Sequence, residues 1–511
     1  MIPFGQWLPD QSDLNNPGAT VAQNVIPAAR GYRPLRSLVP YSSAATSASK
    51  IQGIAAFKDS GGAVRVFAGT ATTLEQMDPG DGSLADVSRT AGYTAIDRWR
   101  YITFGNDVIA AAGTATPLQI KNLNTGSGVA FEDLTGSPQA KFIATVKDFI
   151  VTAHTSTANV GSFEVRWSEI NPSLPSYDPG AGAQRYWYDL DGGTPGDATS
   201  ALANQADSQV IADAGEITGL VGGEFGVVFL ERAIARMQYV GSPLFFTFEK
   251  VETDRGCTYP GSIAAIGPNQ AFFLSRDGFM LFNGANSEPI GSEKIDRDFF
   301  DDLAPGYAEK ITSTIDPTGT NVIWSYVSND SADGEPDKLL IYNWATGSWS
   351  SAAIAHQSIG AARTLPTSLE SMTTTLDSFT VSFDSGLFAG GAFLLVGTKD
   401  NKIQAFTGTP LDATIETAEI EPAPLQRSLI RSVTPYVTNE TGQDAPTVTA
   451  QVLSRSTQTV EPTASAASSL NSSNFCPTRS NGRYHRVRLN ISGEWRYALG
   501  ADIDAVQSGK R

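Results

Sequence analysis

Cysteine is nearly absent from this chain: Cys257 and Cys476 are the only two in 511 residues. Two thiols so far apart provide neither a disulfide framework nor a zinc cluster, and isolated cysteines of this kind pack as small buried hydrophobes. Histidine is almost as scarce. His154, His356 and His485 stand alone, none at metal-ligand spacing, and each is expected in a turn or a sheet. Long apolar runs are missing: no stretch approaches the roughly 20 residues of a membrane span, and MIPFGQWLPDQSDLNN has neither the basic start nor the apolar run of a secretion signal. Synthesis and assembly in a cytoplasm, with no membrane-spanning segment, is the expectation. Basic residues are outnumbered, 36 against 53 acidic ones, for a net charge of −17. Such a surface is no general phosphate clamp, because nucleic-acid affinity comes mainly from Lys and Arg displacing counterions. It does suit a wall past which a duplex slides, since like charges prevent sticking.

Motifs of catalysis are also lacking. No G-x-x-x-x-G-K-[ST] loop occurs, and GLVGGEFGVVF (219–229) leads into a strand instead of opening a helix, so its amides do not cradle a pyrophosphate. DLDGGTPGD (189–197) begins like a calcium loop but lacks the closing bidentate Glu, and it reads as a turn. Of the repeated Ser-x-Asp-x-Gly-x-x-Trp boxes of propeller glycosidases, SRDGFMLF carries only a fragment. The acidic run GSEKIDRDFFDDLAPG (291–306) is most simply a short helix. Ile295, Phe299 and Leu303 recur every four residues as an apolar stripe, which leaves most carboxylates on the wet face, and Pro305-Gly306 ends it. On this reading the chain is not an enzyme and carries no cofactor or metal.

What is present points to an all-β, mainly antiparallel fold. Hydrophobic residues make up 41% and charged residues 17%, while 48 glycines and 28 prolines break the chain into short strands. AGTATTLEQM (68–77) returns as AGTATPLQIK (112–121), 44 positions later, each preceded by an apolar strand. AFFLSRDGFMLFNGANSEPIG (271–291) is a very short meander whose Asp277-Gly278 and Asn283-Gly284 pairs read as turns. Looser copies of the same unit place turns near 70, 114, 156, 232, 276, 331 and 399. That spacing, with insertions, matches propeller blades of about 40–50 residues and predicts a β-propeller-like repeat of about 5–7 blades over 51–414.

Three regions break the repeat. Residues 1–50, rich in Pro and Gly, read as an extended N-terminal arm laid over another surface and not as a core element. Residues 171–215 form a long polar insertion in which Tyr186, Trp187 and Tyr188 suggest a docked, partner-contacting segment. Residues 415–511 read as a separate C-terminal β module. In GRYHRVRLNISGEWRYALGADID, Tyr484, Arg486, Arg488 and Asn490 alternate with His485, Val487, Leu489 and Ile491. Arg479, Arg483, Arg486, Arg488 and Arg496 thus form a locally basic surface on an acidic protein, and Arg483, Arg486 and Arg488 are candidate contacts for an acidic partner.

Taken together, AQNVIPAARGYRPLRSL, FFLSRDGFMLFNGANSEPIGSEKIDRDFF, DKLLIYNWATGSWS and the closing GRYHRVRLNISGEWRYALGADID resemble the tail hub or nozzle proteins of short-tailed, podovirus-type phages. These proteins are also described as head-completion or DNA-stabilisation proteins, and the resemblance samples the whole chain. It implies a propeller-containing virion subunit, assembled as a homo-hexameric ring beneath the portal and its adaptor. Such a ring continues the DNA channel, helps retain the packaged genome, lets it pass at ejection, and docks tail fibres, spikes or a plug protein. No residue of this chain matches a motif for closing the channel. Two other readings share the local patterns: a propeller adhesin that binds a glycan or protein receptor, and a polysaccharide-degrading propeller with paired carboxylates in a central cleft.

Overall fold

The computed structural model describes residues 1–13, 16–41, 45–78, 82–134, 136–170, 187, 206–363 and 393–509. Most of the expected insertion, including Tyr186 and Tyr188, lies outside the described residues. Among the described residues strands account for 51% and helix for 4%, in repeated four-stranded antiparallel blades: the propeller-like all-β fold expected.

Six consecutive stretches, 51–86, 100–133, 140–210, 217–252, 264–289 and 312–353, each form a four-stranded meander. The seventh is different. Strands Ser358–Arg363, Phe393–Lys399 and Lys402–Ala405 supply three of its members, and Val39–Pro40 adds the fourth, pairing Pro40 with Gln404 and Val39 with Ala405. Ile403 of this last blade then packs with Ile51, Val66 and Ala68 of the first. The circle is therefore closed by chain from before the first blade, which leaves no unsealed edge between its two ends.

Short turns make the meander possible. In the seventh blade Lys399 faces Lys402 across Asp400 and Asn401, both with left-handed backbone at φ 53° and 58°, the two-residue hairpin geometry that Asn and Asp tolerate best. In the fifth, Ser275 faces Gly278, and the Asn283 side chain accepts the N–H groups of Ala285 and Asn286. All seven turn positions read from the sequence lie on one type of connection, the link between the second and third strands of a blade.

The AGTAT repeat occupies equivalent positions in blades one and two for two different reasons. Trp99 lies flat against Gly69, where a Cβ would stand 2.2 Å from its ring, and the Trp99 indole N–H donates to the Thr70 carbonyl at 2.7 Å. Gly113 has open space around it and is instead held at φ 94°.

The strands after residue 413 build two further sheets. Arg427–Asn439, Cys476–Gly482 and Trp495–Gly509 lie in one, together with Ile2–Pro3, Val25–Pro27 and Tyr32–Pro34. Ala413–Glu416, Tyr484–Ser492 and Thr447–Arg455 lie in the other. Ile430, Val433, Val448, Val452, Cys476, Val487 and Leu489 fill the space between them. The same core continues into blades five and six, where Phe279 packs at 4.7 Å from Trp324, 5.2 Å from Trp349 and 4.9 Å from Phe299. Both indoles are satisfied, donating to the carbonyls of Ser262 and Ile290. Phe299 belongs to the short helix Asp296–Asp302, whose apolar stripe of Ile295, Phe299 and Leu303 is buried as its spacing required.

The first fifty residues depart from expectation. They are part of the core of their own chain: Phe4, Trp7, Ala22, Val25 and Tyr32 are buried in the largest apolar cluster. Val21–Gln23 pairs with Ala413–Glu416 on one side and meets Ser351 of blade six on the other, which fuses that blade and one module sheet into ten continuous strands. Asp10 accepts the N–H groups of Arg297 and Asp298 at 2.9 and 2.8 Å, capping the helix. Pro and Gly content suggested a loose arm because short strands separated by prolines look the same in sequence whether they cross a foreign surface or their own.

Gly69→Ala should lower stability by about 1–3 kcal/mol, the usual cost of overpacking a filled site. Gly126→Ala, with nothing within 4 Å of the added Cβ, should change it by less than about 0.5 kcal/mol. Denaturant unfolding midpoints of the two variants check this.

Candidate functional site

Strand Tyr484–Ser492 alternates as its sequence predicts: His485, Val487, Leu489 and Ile491 are buried in the module core. The opposite face is not a free basic surface. Register places Glu416 directly across from Arg488 and diagonal to Arg486. Arg488 pairs with Glu416 at 2.7 Å, while Arg486 is 8% exposed and contacts Glu416, Glu419 and Asp13. Arg455 pairs with Glu419 at 2.7 Å and Asp13 at 3.5 Å, and Arg483 pairs with Glu421 at 2.6 Å. Four arginines thus meet four carboxylates. Arg483, Arg486 and Arg488 spend their charge inside the chain and are not the acid-binding patch expected of them. The matching signal was present in IETAEIE (415–421), but nothing local says that these glutamates lie beside arginines some 70 residues on. Arg479 and Arg496 remain exposed.

Trp187 is the one described residue of the aromatic triplet. It is buried among Ile109, Leu118, Ile120, Ile143 and Ile150, between the second and third blades. Its side chain is therefore packed within this chain and is not available as a partner contact.

His154 and His485 lie in strands, and His356 lies just before one. His356 is buried, with Nδ1 2.7 Å from the Ile354 carbonyl and Nε2 2.6 Å from Ser325 Oγ. Nδ1–H therefore donates to the carbonyl, and Nε2 accepts the serine hydroxyl. Burial pushes His356 down to about 4, and His154 and His485 are lowered for the same reason. Both cysteines are free and buried. Among the described residues no cluster of His, Cys, Asp and Glu could hold a metal, and no helix is long and apolar enough to cross a membrane.

A second locus, which sequence reasoning missed, is the propeller axis. Arg98 reaches from the start of blade two across to the other side of the ring, donating through Nη2 to the carbonyls of Glu309 at 3.1 Å and Ile311 at 2.8 Å. Its Nη1 lies against Gly261, where a Cβ would be 2.2 Å away. This bar crosses the ring at the face where the inner strands begin. Beyond it lies a cavity of about 330 Å³ lined by residues on or just before the inner strands of blades one to five, among them Ile54, Arg100, Phe142, Leu220 and Ile263. In sequence, WRY at 99–101 gives no sign that its arginines face an axis.

No protein-family profile and no curated relative matches the sequence. Among solved structures, the chain is similar to a fungal alcohol oxidase of the AA5 family in complex with copper, at 11% identity and a TM-score of 0.39, over 93% of this chain and 100% of that one. It is also similar to an auxiliary nutrient binding protein from Bacteroides thetaiotaomicron, at 10% identity and a TM-score of 0.32, over 70% of this chain and 69% of that one. The first corrects one expectation. The chain was read as no enzyme for want of a catalytic motif; an oxidase stands among the structures similar to it, so that exclusion is dropped. Catalytic groups on a propeller are brought together from loops distant in sequence, where a motif search does not see them. At these scores neither likeness says what this chain itself does.

Two measurements follow from the buried polar groups. Glu416→Gln leaves Arg486 and Arg488 short of a counter-charge at a position only 2% exposed, and should cost about 3 kcal/mol in denaturant unfolding. For His356, the folded state stays neutral down to about pH 4 whereas the unfolded chain protonates near 6.5. Its contribution is complete above 6.5 and is lost as pH falls toward 4, by at most about 3 kcal/mol. His356→Gln should flatten the stability profile between those pH values relative to wild type. Asp296, which burial raises to about 6, acts with the opposite sign in both proteins and cancels in the comparison.

Proposed function

We propose that this protein is the tail hub, or nozzle, subunit of a short-tailed phage: a virion structural protein that forms a homo-hexameric ring below the portal adaptor. The observation that carries the proposal is the pairing of a sequence resemblance spread over the whole chain with a propeller-like fold, the architecture that the resemblance implies. In this reading the ring continues the DNA channel, retains the packaged genome, lets double-stranded DNA pass at ejection, and docks fibres, spikes or a plug.

Two physical features support the role. The propeller axis is barred by Arg98, so a duplex passes through the lumen between subunits and not through any one subunit. The net charge of −17 suits that lumen, because a wall of like sign lets the duplex slide. The alternative, an adhesin, calls for exposed aromatic clusters at blade tips. The exposed large hydrophobics among the described residues include two aromatics, Tyr307 and Tyr436, which lie in different parts of the fold.

Particle images of the purified chain, or of the virion tail, are expected to show a six-fold ring with a negative lumen. A monomer at every concentration tested would overturn the hub assignment, and a ring with a strongly basic lumen would overturn the sliding channel.

A further inference from the structure

We infer that the axial cavity of the propeller is a binding site for a small organic carboxylate with an apolar body, held through Arg100. The cavity, about 330 Å³, is of the size that encloses a small ligand. Apolar side chains, Ile54, Phe142, Ile143, Leu220 and Ile263 among them, line it, while backbone groups and Arg100 make about half of its exposed surface polar. Arg100 brings the cationic group.

That cation is unmatched by the protein. The Arg100 guanidinium lies over the Phe142 ring, 4.5 Å from its centroid, and donates Nη1 to the Lys141 carbonyl at 3.1 Å. Among the described residues no carboxylate stands within ion-pairing distance of it. This contrasts with the module, where Arg455, Arg483, Arg486 and Arg488 each have a glutamate. Arg98 does not compensate, being a second cation. Dehydration by the surrounding walls, with a further push from Arg98, lowers Arg100 to about 9, so it remains charged at neutral pH. A chain with 53 acidic residues has thus left this axial arginine without an acid among the described residues.

A guanidinium presents five N–H groups in a planar fork, and protein takes up one here. A carboxylate can accept two of the remainder side by side, and the ring face of Phe142 keeps the fork oriented for it. The apolar walls then select the rest of the ligand. Inorganic phosphate can pair with the same fork but leaves the apolar side chains uncovered, whereas an aromatic or branched aliphatic body covers them. The Arg98 bar closes the face where the inner strands begin, so the ligand enters from the opposite end. Nothing in this inference requires the ring.

The test is fluorine NMR on the full chain with 4-fluorobenzoate as the probe and neutral 4-fluorobenzamide as its control. Wild type should show saturable line broadening with the benzoate, and Arg100→Gln should weaken it by about ten-fold or more. The amide should bind both proteins alike and weakly. Ala265→Leu narrows the cavity but leaves Arg100 in place, and it should also abolish benzoate binding, so the test survives misfolding of either variant. Absence of saturation up to about 10 mM benzoate, or equal affinity in wild type and Arg100→Gln, would overturn the site. Inorganic phosphate that displaces the benzoate at equal concentration would overturn the apolar specificity.

Discussion

One strand of three residues holds the two halves of this protein together. Val21–Gln23 pairs antiparallel with Thr414–Glu416 and runs parallel to blade six at Ser351. The residues beside it add bonds in both directions. The Asn24 side chain donates to the Asp412 carbonyl and accepts the Ala353 N–H, while Ser350 Oγ donates to the Val25 carbonyl. Without this strand, blade six and the module sheet would each present an unpaired edge, and the buried Glu416 would lose the hydroxyl of Thr20. The weld is also what makes the apolar core continuous from Trp349 in the propeller to Leu489 in the module. A hinge between the lobes would have to break a hydrogen-bond ladder and open that core, so the two move as one body.

The N-terminal stretch from Ile2 to Pro40, to which this strand belongs, shapes how the chain folds. Its partners lie near residues 350, 410 and 500, so its contacts span most of the chain and loop closure opposes them until late. The blades, by contrast, are local meanders joined by turns of a few residues, and each can pair before the circle is complete. Closure of the seventh blade by Val39–Pro40 and capping of the helix by Asp10 are then late events by topology. A chain shortened at its start would lose the weld, one strand of the last blade and a helix cap together.

This division between local and distant pairing explains what the sequence could disclose. The blades were legible because each carries its own signal: Asp277-Gly278 and Asn283-Gly284 mark turns, Phe272 to Leu274 mark a strand, and AGTAT marks equivalent sites in two blades. The helix at 296–302 was legible from the spacing of Ile295, Phe299 and Leu303. The alternation of the closing strand was correct, yet its surface charge was not, because Glu416, Glu419 and Asp13 reach Arg486 only through sheet register and the N-terminal crossing. Trp187 was singled out as a docked residue; only the fold reveals that it docks between its own blades. Arg98 and Arg100 were invisible, since an axis is a property of the closed circle and of no local stretch.

Charge is therefore handled in two ways within one chain. In the module, guanidinium groups that strand pairing buries are met by carboxylates on the neighbouring strand or the crossing segment, so their desolvation is offset by charge-assisted hydrogen bonds. At the axis, Arg98 is satisfied by backbone carbonyls and serves as a strut, while Arg100 is held by a ring face and one carbonyl. A neutral residue at position 100 would fill the same space without the cost of dehydrating a cation. Among the described residues Phe142 and Lys141 offset part of that cost, and the carboxylate inferred for the cavity would offset the rest.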